Sequence, residues 1–68
     1  MKLETRKDYE EAAITAYKRA NACTVEALNA KAAGDTDSWA YYTREAKYFA
    51  EDASEDAAIA LCDEEWAA

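Results

Sequence analysis

The segment GDTDS, residues 34–38, lies at the midpoint of this 68-residue chain and contains its only glycine; the chain has no proline. Gly34 is suited to the left-handed backbone conformation in which many helices end. Asp35, Asp37 and Ser38 can each accept hydrogen bonds from the first amide groups of a following helix. Because so short a link makes the two helices neighbours, the segment predicts an antiparallel helical hairpin.

The residues on both sides of this segment are rich in alanine, glutamate and lysine, which favour helices. We therefore expect one all-α domain, because a chain of this length holds a single small core. The expected bounds are a domain over residues 1–68, helix 1 at about 4–33, a turn at 34–38 and helix 2 at about 38–66.

Helix 1 is expected to begin near Thr5, because residues 5–8 (TRKD) have the spacing of a capping box in its aspartate form. At 100° per residue, one broad face of this helix holds Tyr9, Ala13, Ile14, Ala16, Tyr17, Ala20, Thr24, Ala27 and Leu28. Mostly small residues recur within or beside that face at coiled-coil intervals of four and three: Tyr9, Ala13, Ala16, Ala20, Cys23, Ala27 and Ala30.

Helix 2 has a matching apolar seam of larger side chains. Its members are Trp39, Tyr42, Ala46, Phe49, Ala53, Ala57, Ala60 and Leu61. With the turn near residue 35 or 36, the numbers of opposing residues sum to about 71. Trp39 then lies opposite Ala32, and Ala57 lies opposite Ile14. Large residues mostly face small ones, which predicts close packing of the two helices.

A second apolar stripe on helix 2 lies outside the reach of helix 1. It is formed by Tyr41, Tyr48, Ile59, Cys62 and Trp66, and four carboxylates lie beside it at spacings of seven, four and seven residues. Aromatic anchors flanked by charges are typical of protein-binding surfaces. The predicted partner-binding residues are Tyr41, Glu45, Tyr48, Asp52, Asp56, Ile59, Asp63 and Trp66.

Charge is distributed unevenly between the two halves of the chain. Residues 1–33 hold six bases and five acids, a net charge of +1, whereas residues 34–68 hold two bases and ten acids, a net charge of −8. Such a helix attracts basic surfaces and repels nucleic acid, so we expect a protein partner and no direct nucleic-acid binding. Solubility is the alternative explanation of the charge.

The sequence lacks the residue sets on which most catalysis depends. It has no histidine, no glycine-rich phosphate loop and no CxxC pair, so we expect neither an enzyme nor a bound metal or cofactor. In the hairpin register, Cys23 and Cys62 lie about 20 Å apart along the axis, which predicts reduced thiols. No apolar stretch reaches about 20 residues, and no signal peptide is evident, so a cytoplasmic location without membrane attachment is expected.

In size, acidity and helicity, the whole chain resembles the small inhibitors that phages encode against host defences, including anti-CRISPR proteins and DNA mimics. This resemblance implies a protein that occupies the basic, nucleic-acid-binding surface of a partner in the host cytoplasm. The alternative is self-association, in which two hairpins pair through their aromatic stripes as a four-helix bundle with a structural or adaptor role. That homodimer is similar in architecture to plasmid copy-control hairpins, although the carboxylates beside the stripe oppose a symmetric contact between the second helices.

Overall fold

The computed structural model describes residues 5–62 and Trp66. Two α-helices account for almost all of this part of the chain, namely α1 (Arg6–Ala32) and α2 (Thr36–Ala60). They pack side by side in opposite directions as a rod with dimensions of 53 × 17 × 14 Å. The all-α helical hairpin predicted from the sequence is thereby confirmed.

Both ends of α1 have the capping structures that the sequence indicates. The Thr5 hydroxyl accepts a hydrogen bond from the Asp8 amide, and the Asp8 carboxylate accepts one from the Thr5 amide, each at 3.1 Å. At the other end, Gly34 has a φ of 76°. The Asp35 amide donates to the Ala30 carbonyl at 2.9 Å, which completes a Schellman motif.

The second helix begins earlier than the predicted residue 38. Asp35 is its N-cap, and the Asp35 carboxylate accepts a hydrogen bond from the Ser38 amide at 3.1 Å. This bond lowers the pKa of Asp35 below its ordinary value, because it favours the ionised carboxylate. Asp35 is the first of the three residues that could cap α2. The link between the helices is therefore only residues 33–35.

The second helix ends at Ala60, six residues before the predicted end at Trp66. Two side chains donate to carbonyl groups of its last turn. The Arg6 guanidinium of α1 donates to the carbonyl of Ala60, and the Trp66 indole N–H donates to the carbonyl of Ile59 at 2.9 Å. Since α2 has no basic residue in its own last turn, Arg6 supplies the positive charge that favours a helix C-terminus.

The buried side chains among the described residues are all alanine. We call this set the alanine seam, and its members are Ala13, Ala16, Ala20, Ala27, Ala30, Ala53 and Ala60. Small side chains allow two helices to approach closely, but each buries little apolar area. The larger residues Tyr42 and Phe49 are half-buried at the edges of this contact.

The predicted broad face of helix 1 is only partly covered by α2. Ile14 is 54% exposed, Tyr17 45% and Leu28 61%, although the sequence places all three on the same face as the alanines. Leu61, predicted to belong to the seam of helix 2, is 73% exposed. The reason is geometric, because one neighbouring helix covers a single heptad seam, whereas the nine positions of this face spread over a wider arc.

Candidate protein-binding surfaces

Four predicted partner-binding residues, of which three are exposed and Glu45 is half-buried, lie in one line on α2. Their spacing of four, three and four residues keeps them on one side of the helix, and each precedes a residue that faces α1. We call this set the acidic aromatic row, and its members are Tyr41, Glu45, Tyr48 and Asp52. It extends over about three turns of α2, within the part of the chain that the structure describes.

The two tyrosine rings of the row are supported by neighbouring aromatic rings. Tyr41 is 50% exposed and Tyr48 is 63% exposed. The Tyr41 ring meets the Tyr42 ring edge to face at 5.1 Å between centroids, and Tyr48 meets Phe49 in the same way at 5.5 Å. Each exposed ring thus leans on a half-buried one, an arrangement that limits its motion and lowers the entropy lost on binding.

The carboxylates of the row have no basic partner among residues 5–62. The ion pairs found in that region join Arg6 to Glu10 and Lys7 to Glu11, both within α1 and both at 4.0 Å. Arg19, the α1 base nearest the row's side of the hairpin, lies over the Phe49 ring at 5.7 Å. Glu45 is half-buried and Asp52 is exposed, so both negative charges are presented to an incoming surface.

Asp56 lies at the edge of the predicted acidic face nearest α1. It lies three residues after Ala53 and four before Ala60, both buried, so it points towards α1 and is itself half-buried. Burial, followed by repulsion from Asp52, raises the pKa of Asp56 above its ordinary value. Its position is within about 20° of Glu45 on the helical wheel, so both half-buried carboxylates border the contact with α1.

The three remaining predicted residues are Trp66, Ile59 and Asp63. Trp66 is half-buried, and its ring contacts Tyr9 of α1 at 5.9 Å between centroids, so it does not continue the exposed stripe. The prediction assumed that helix 2 runs on to residue 66, whereas α2 ends at Ala60. Ile59 is half-buried at the end of the row, and Asp63 lies outside the described residues.

A second surface, on the opposite side of the hairpin, was missed by the sequence reasoning. An open groove of about 300 Å³ is lined by Ile14 and Tyr17 of α1 and by Ala57 and Leu61 of α2. Ile14, Tyr17 and Leu61 each follow a buried alanine of the seam, whereas the residues of the acidic aromatic row each precede a buried or half-buried position of α2. One residue corresponds to 100° of rotation, so the two surfaces lie on opposite flanks.

The same flank continues towards the turn. Leu28 lies two heptads after Ile14, and Lys31 lies two heptads after Tyr17. The Lys31 ammonium is 5.9 Å from the centre of the Trp39 ring, which places Trp39 on this side. We call the exposed large side chains of this flank the apolar face: Ile14, Tyr17, Leu28, Trp39 and Leu61. The signal available in the sequence was the second 4-3 series on α1, shifted by one residue from the alanines.

Metal ligands, membrane-spanning segments and thiols are the other features considered for the described part of the chain. No group of three or more potential metal ligands occurs there. Neither α1 nor α2 is both long and apolar enough to cross a membrane. Cys23 is half-buried and Cys62 exposed, and both are free thiols.

Comparison with known proteins adds no relative from which a function could be transferred. No family model, curated protein or solved structure matches this chain. The acidic aromatic row and the apolar face are therefore interpreted from their own chemistry.

Proposed function

We propose that this chain is a non-enzymatic protein-binding module whose acidic aromatic row occupies a basic protein surface, of the kind that holds nucleic acid. One observation carries the proposal. Two exposed, supported tyrosines alternate along α2 with two carboxylates that no base in residues 5–62 neutralises. Aromatic anchors contribute most of the energy at many interfaces, and flanking charges select and steer the partner.

The charge of the whole helix supports this choice of partner. In α2, six acids and two bases give a net charge of −4, whereas in α1 five bases and four acids give +1. Glu45 and Asp52 lie about 10 Å apart along the axis, which suits contact with separate arginine or lysine side chains. A partner surface occupied in this way is closed to nucleic acid, and this inhibitory action is the one that the resemblance to phage-encoded inhibitors implies.

Affinity capture from lysate of the cells in which the protein acts tests the proposal. The wild type is compared with a variant carrying Glu45→Gln and Asp52→Asn, in which the row loses its charge and keeps its shape. We expect at least a tenfold loss of captured partner, since two charge-assisted contacts are removed. The captured protein should also lose its binding to labelled nucleic acid when the wild-type chain is added.

The matched control carries Asp37→Asn and Glu51→Gln, the same change of net charge on the side of α2 that faces away from α1. It should capture as much partner as the wild type does. Equal capture by all three proteins, or equal loss in both variants, would contradict a specific role of the row. A captured partner that binds nucleic acid unhindered would contradict the inhibitory mode.

Self-association is the second candidate, and a specific observation favours it too. The residues that the contact between α1 and α2 buries fully are all alanines within the described residues, and small helical chains with so limited a core commonly gain stability by oligomerising. Two hairpins packed face to face would form a four-helix bundle. A dimer of this kind is compatible with partner binding, provided that it leaves the acidic aromatic row uncovered.

A further inference from the structure

We infer that the apolar face of this hairpin is covered by a second copy of the same chain, with the two α1 helices packed antiparallel across it. The inference deepens the self-association candidate above and does not depend on the acidic aromatic row. It assigns the dimer contact to the flank opposite the one that the aromatic stripe of α2 suggests.

The flank that carries the apolar face leaves more large apolar side chains uncovered than the opposite flank does. Eight large apolar side chains of the described residues are exposed, and the five that form the apolar face share one flank. Tyr41 and Tyr48 belong to the opposite flank, and Val25, 11 residues after Ile14, lies within about 20° of it on the helical wheel at the outer edge of the apolar face. The side chains of the apolar face form two groups, Ile14, Tyr17 and Leu61 towards the open end and Leu28 and Trp39 towards the turn, with Asn21 and Thr24 between them. Clustered apolar side chains mark a contact, whereas scattered single residues do not.

The solvent-accessible area of the hairpin exceeds that of a compact monomer by about the size of one interface. A compact monomer of 7.6 kDa exposes about 4300 Å² according to the usual scaling of area with mass. This hairpin exposes 5254 Å², an excess of about 950 Å². A standard interface buries about 800 Å² on each partner. One additional copy, seated on one face of the rod, is therefore sufficient to remove the excess.

The distribution of charge favours a second copy of the chain as the partner on the apolar face. The six acids of α2 lie in the acidic aromatic row, on its outer side or towards α1, so within the described residues they are absent from the apolar face. The like-charge repulsion that opposes a symmetric contact through the aromatic stripe does not arise here. A basic partner, in contrast, would gain little from this flank, because the described residues give it only one flanking acid, Glu10, against the base Lys31.

The charges at the two ends of α1 favour an antiparallel orientation of the two α1 helices. Glu10, Tyr17, Thr24 and Lys31 follow one another at heptad spacing, so the flank of α1 ends in an acid at one end and a base at the other. A two-fold axis near Asn21 brings Glu10 of each copy within about one turn of Lys31 of the other. Ile14 of one copy then lies near Leu28 of its partner, and the apolar residues meet between the two charged ends.

Sedimentation equilibrium between about 1 and 500 µM tests the inference. It compares the wild type with variants in which one apolar side chain is replaced by alanine, a residue that favours helix. The wild type should sediment as a dimer, at twice 7.6 kDa. Ile14→Ala and Leu28→Ala should each raise the dissociation constant about tenfold, because each removes an anchor of the contact. Tyr41→Ala is the matched control, since Tyr41 is about as exposed as these residues (50%) and lies on the opposite flank; it should leave the constant unchanged.

Charge reversal tests the orientation. Glu10→Lys and Lys31→Glu should each weaken the dimer several-fold, and the double variant should restore it, since both ion pairs between the copies are re-formed with exchanged signs. Far-UV circular dichroism verifies that each variant is still helical. A wild type that stays monomeric at 500 µM, a dimer insensitive to Ile14→Ala, or a double variant weaker than both single variants would overturn the inference. Tyr48→Ala should leave the dimer intact, and a dimer that it dissociates would return the contact to the opposite flank.

Discussion

At the residue scale, two charged side chains determine how α2 is held. Arg6 reaches from the first turn of α1 to the last carbonyl of α2, and so connects the open ends of the hairpin. Asp56 has the opposite effect, because its carboxylate is drawn partly out of water beside Ala53 and Ala60. Sequence periodicity could not foresee either role. The Arg6 contact joins residues 54 positions apart in the chain. The burial of Asp56 depends on how α2 is rotated against α1, which the sequence pattern alone does not fix.

Replacement of Asp56 by asparagine should stabilise the protein in a way that depends on pH. Burial and Asp52 raise the pKa of Asp56, so the folded state binds its proton more tightly than the unfolded state does. The ionised carboxylate therefore lowers the free energy of unfolding at pH 7, and this penalty disappears as pH falls through the raised pKa to below the ordinary value of 3.8. Asp56→Asn should gain about 0.5 kcal/mol at pH 7, the scale of a partly solvated charge interaction.

Urea denaturation at pH 7 and at pH 3, at one fixed protein concentration, measures this difference. Asparagine has a helix propensity close to that of aspartate, so the comparison isolates the charge. A gain of equal size at both pH values would show that the carboxylate is not the cause. No gain at pH 7 would show that Asp56 is fully solvated.

At the element scale, helix ends were easier to predict from the sequence than helix faces. The capping box at Thr5 and the glycine at residue 34 are local signals, and each marks a terminus of α1 as predicted. The start of α2 was ambiguous because Asp35, Asp37 and Ser38 are all good caps. Its end was misplaced because contacts with Arg6 and Trp66, rather than a glycine or proline, accompany it.

The faces proved harder because α1 carries two overlapping heptad series. The alanine series faces α2, and the series through Ile14, Tyr17 and Leu28 begins one position later. A helical wheel merges them into one broad apolar face, so their separation requires the position of the neighbouring helix. For the same reason, Tyr41, Glu45, Tyr48 and Asp52 could be grouped from the sequence, whereas Asp56 and Trp66 could not be separated from them.

The close approach of α1 and α2 depends on side-chain size at the alanine seam. Ala53 has no exposed surface, so leucine at this position would have to push the helices apart. Ala53→Leu should lower the free energy of unfolding by about 1–3 kcal/mol, the usual cost of overpacking. The same change at Ala58, which is exposed on the same helix, should alter it by less than about 0.5 kcal/mol.

Urea denaturation of both variants at one concentration distinguishes the two sites. Equal effects would show that Ala53 has room for a larger side chain. An increase in stability with Ala53→Leu would contradict a core built on small residues, and would indicate a gap between the helices that leucine fills.

At the scale of the whole molecule, the hairpin is a thin rod with different chemistry on its two flanks. The apolar face carries most of the exposed large side chains, and the acidic aromatic row carries charge with two supported tyrosines. The sequence predicted the second surface in outline, because its acids and aromatics are both conspicuous. The sequence did not predict the apolar face, since its pattern placed Ile14, Tyr17 and Leu28 on the same side of α1 as the alanines. A dimer through the apolar face would present two acidic aromatic rows.

A titration of ¹⁵N-labelled protein with the captured basic partner tests the central claim most directly, because amide chemical shifts report contact residue by residue. The largest shifts should fall within residues 41–52, around the acidic aromatic row. Amides of Ile14, Tyr17 and Leu28 should hold their positions, because the apolar face is not used for this partner. Largest shifts at those three residues, with residues 41–52 unaffected, would contradict the assignment of partner binding to α2.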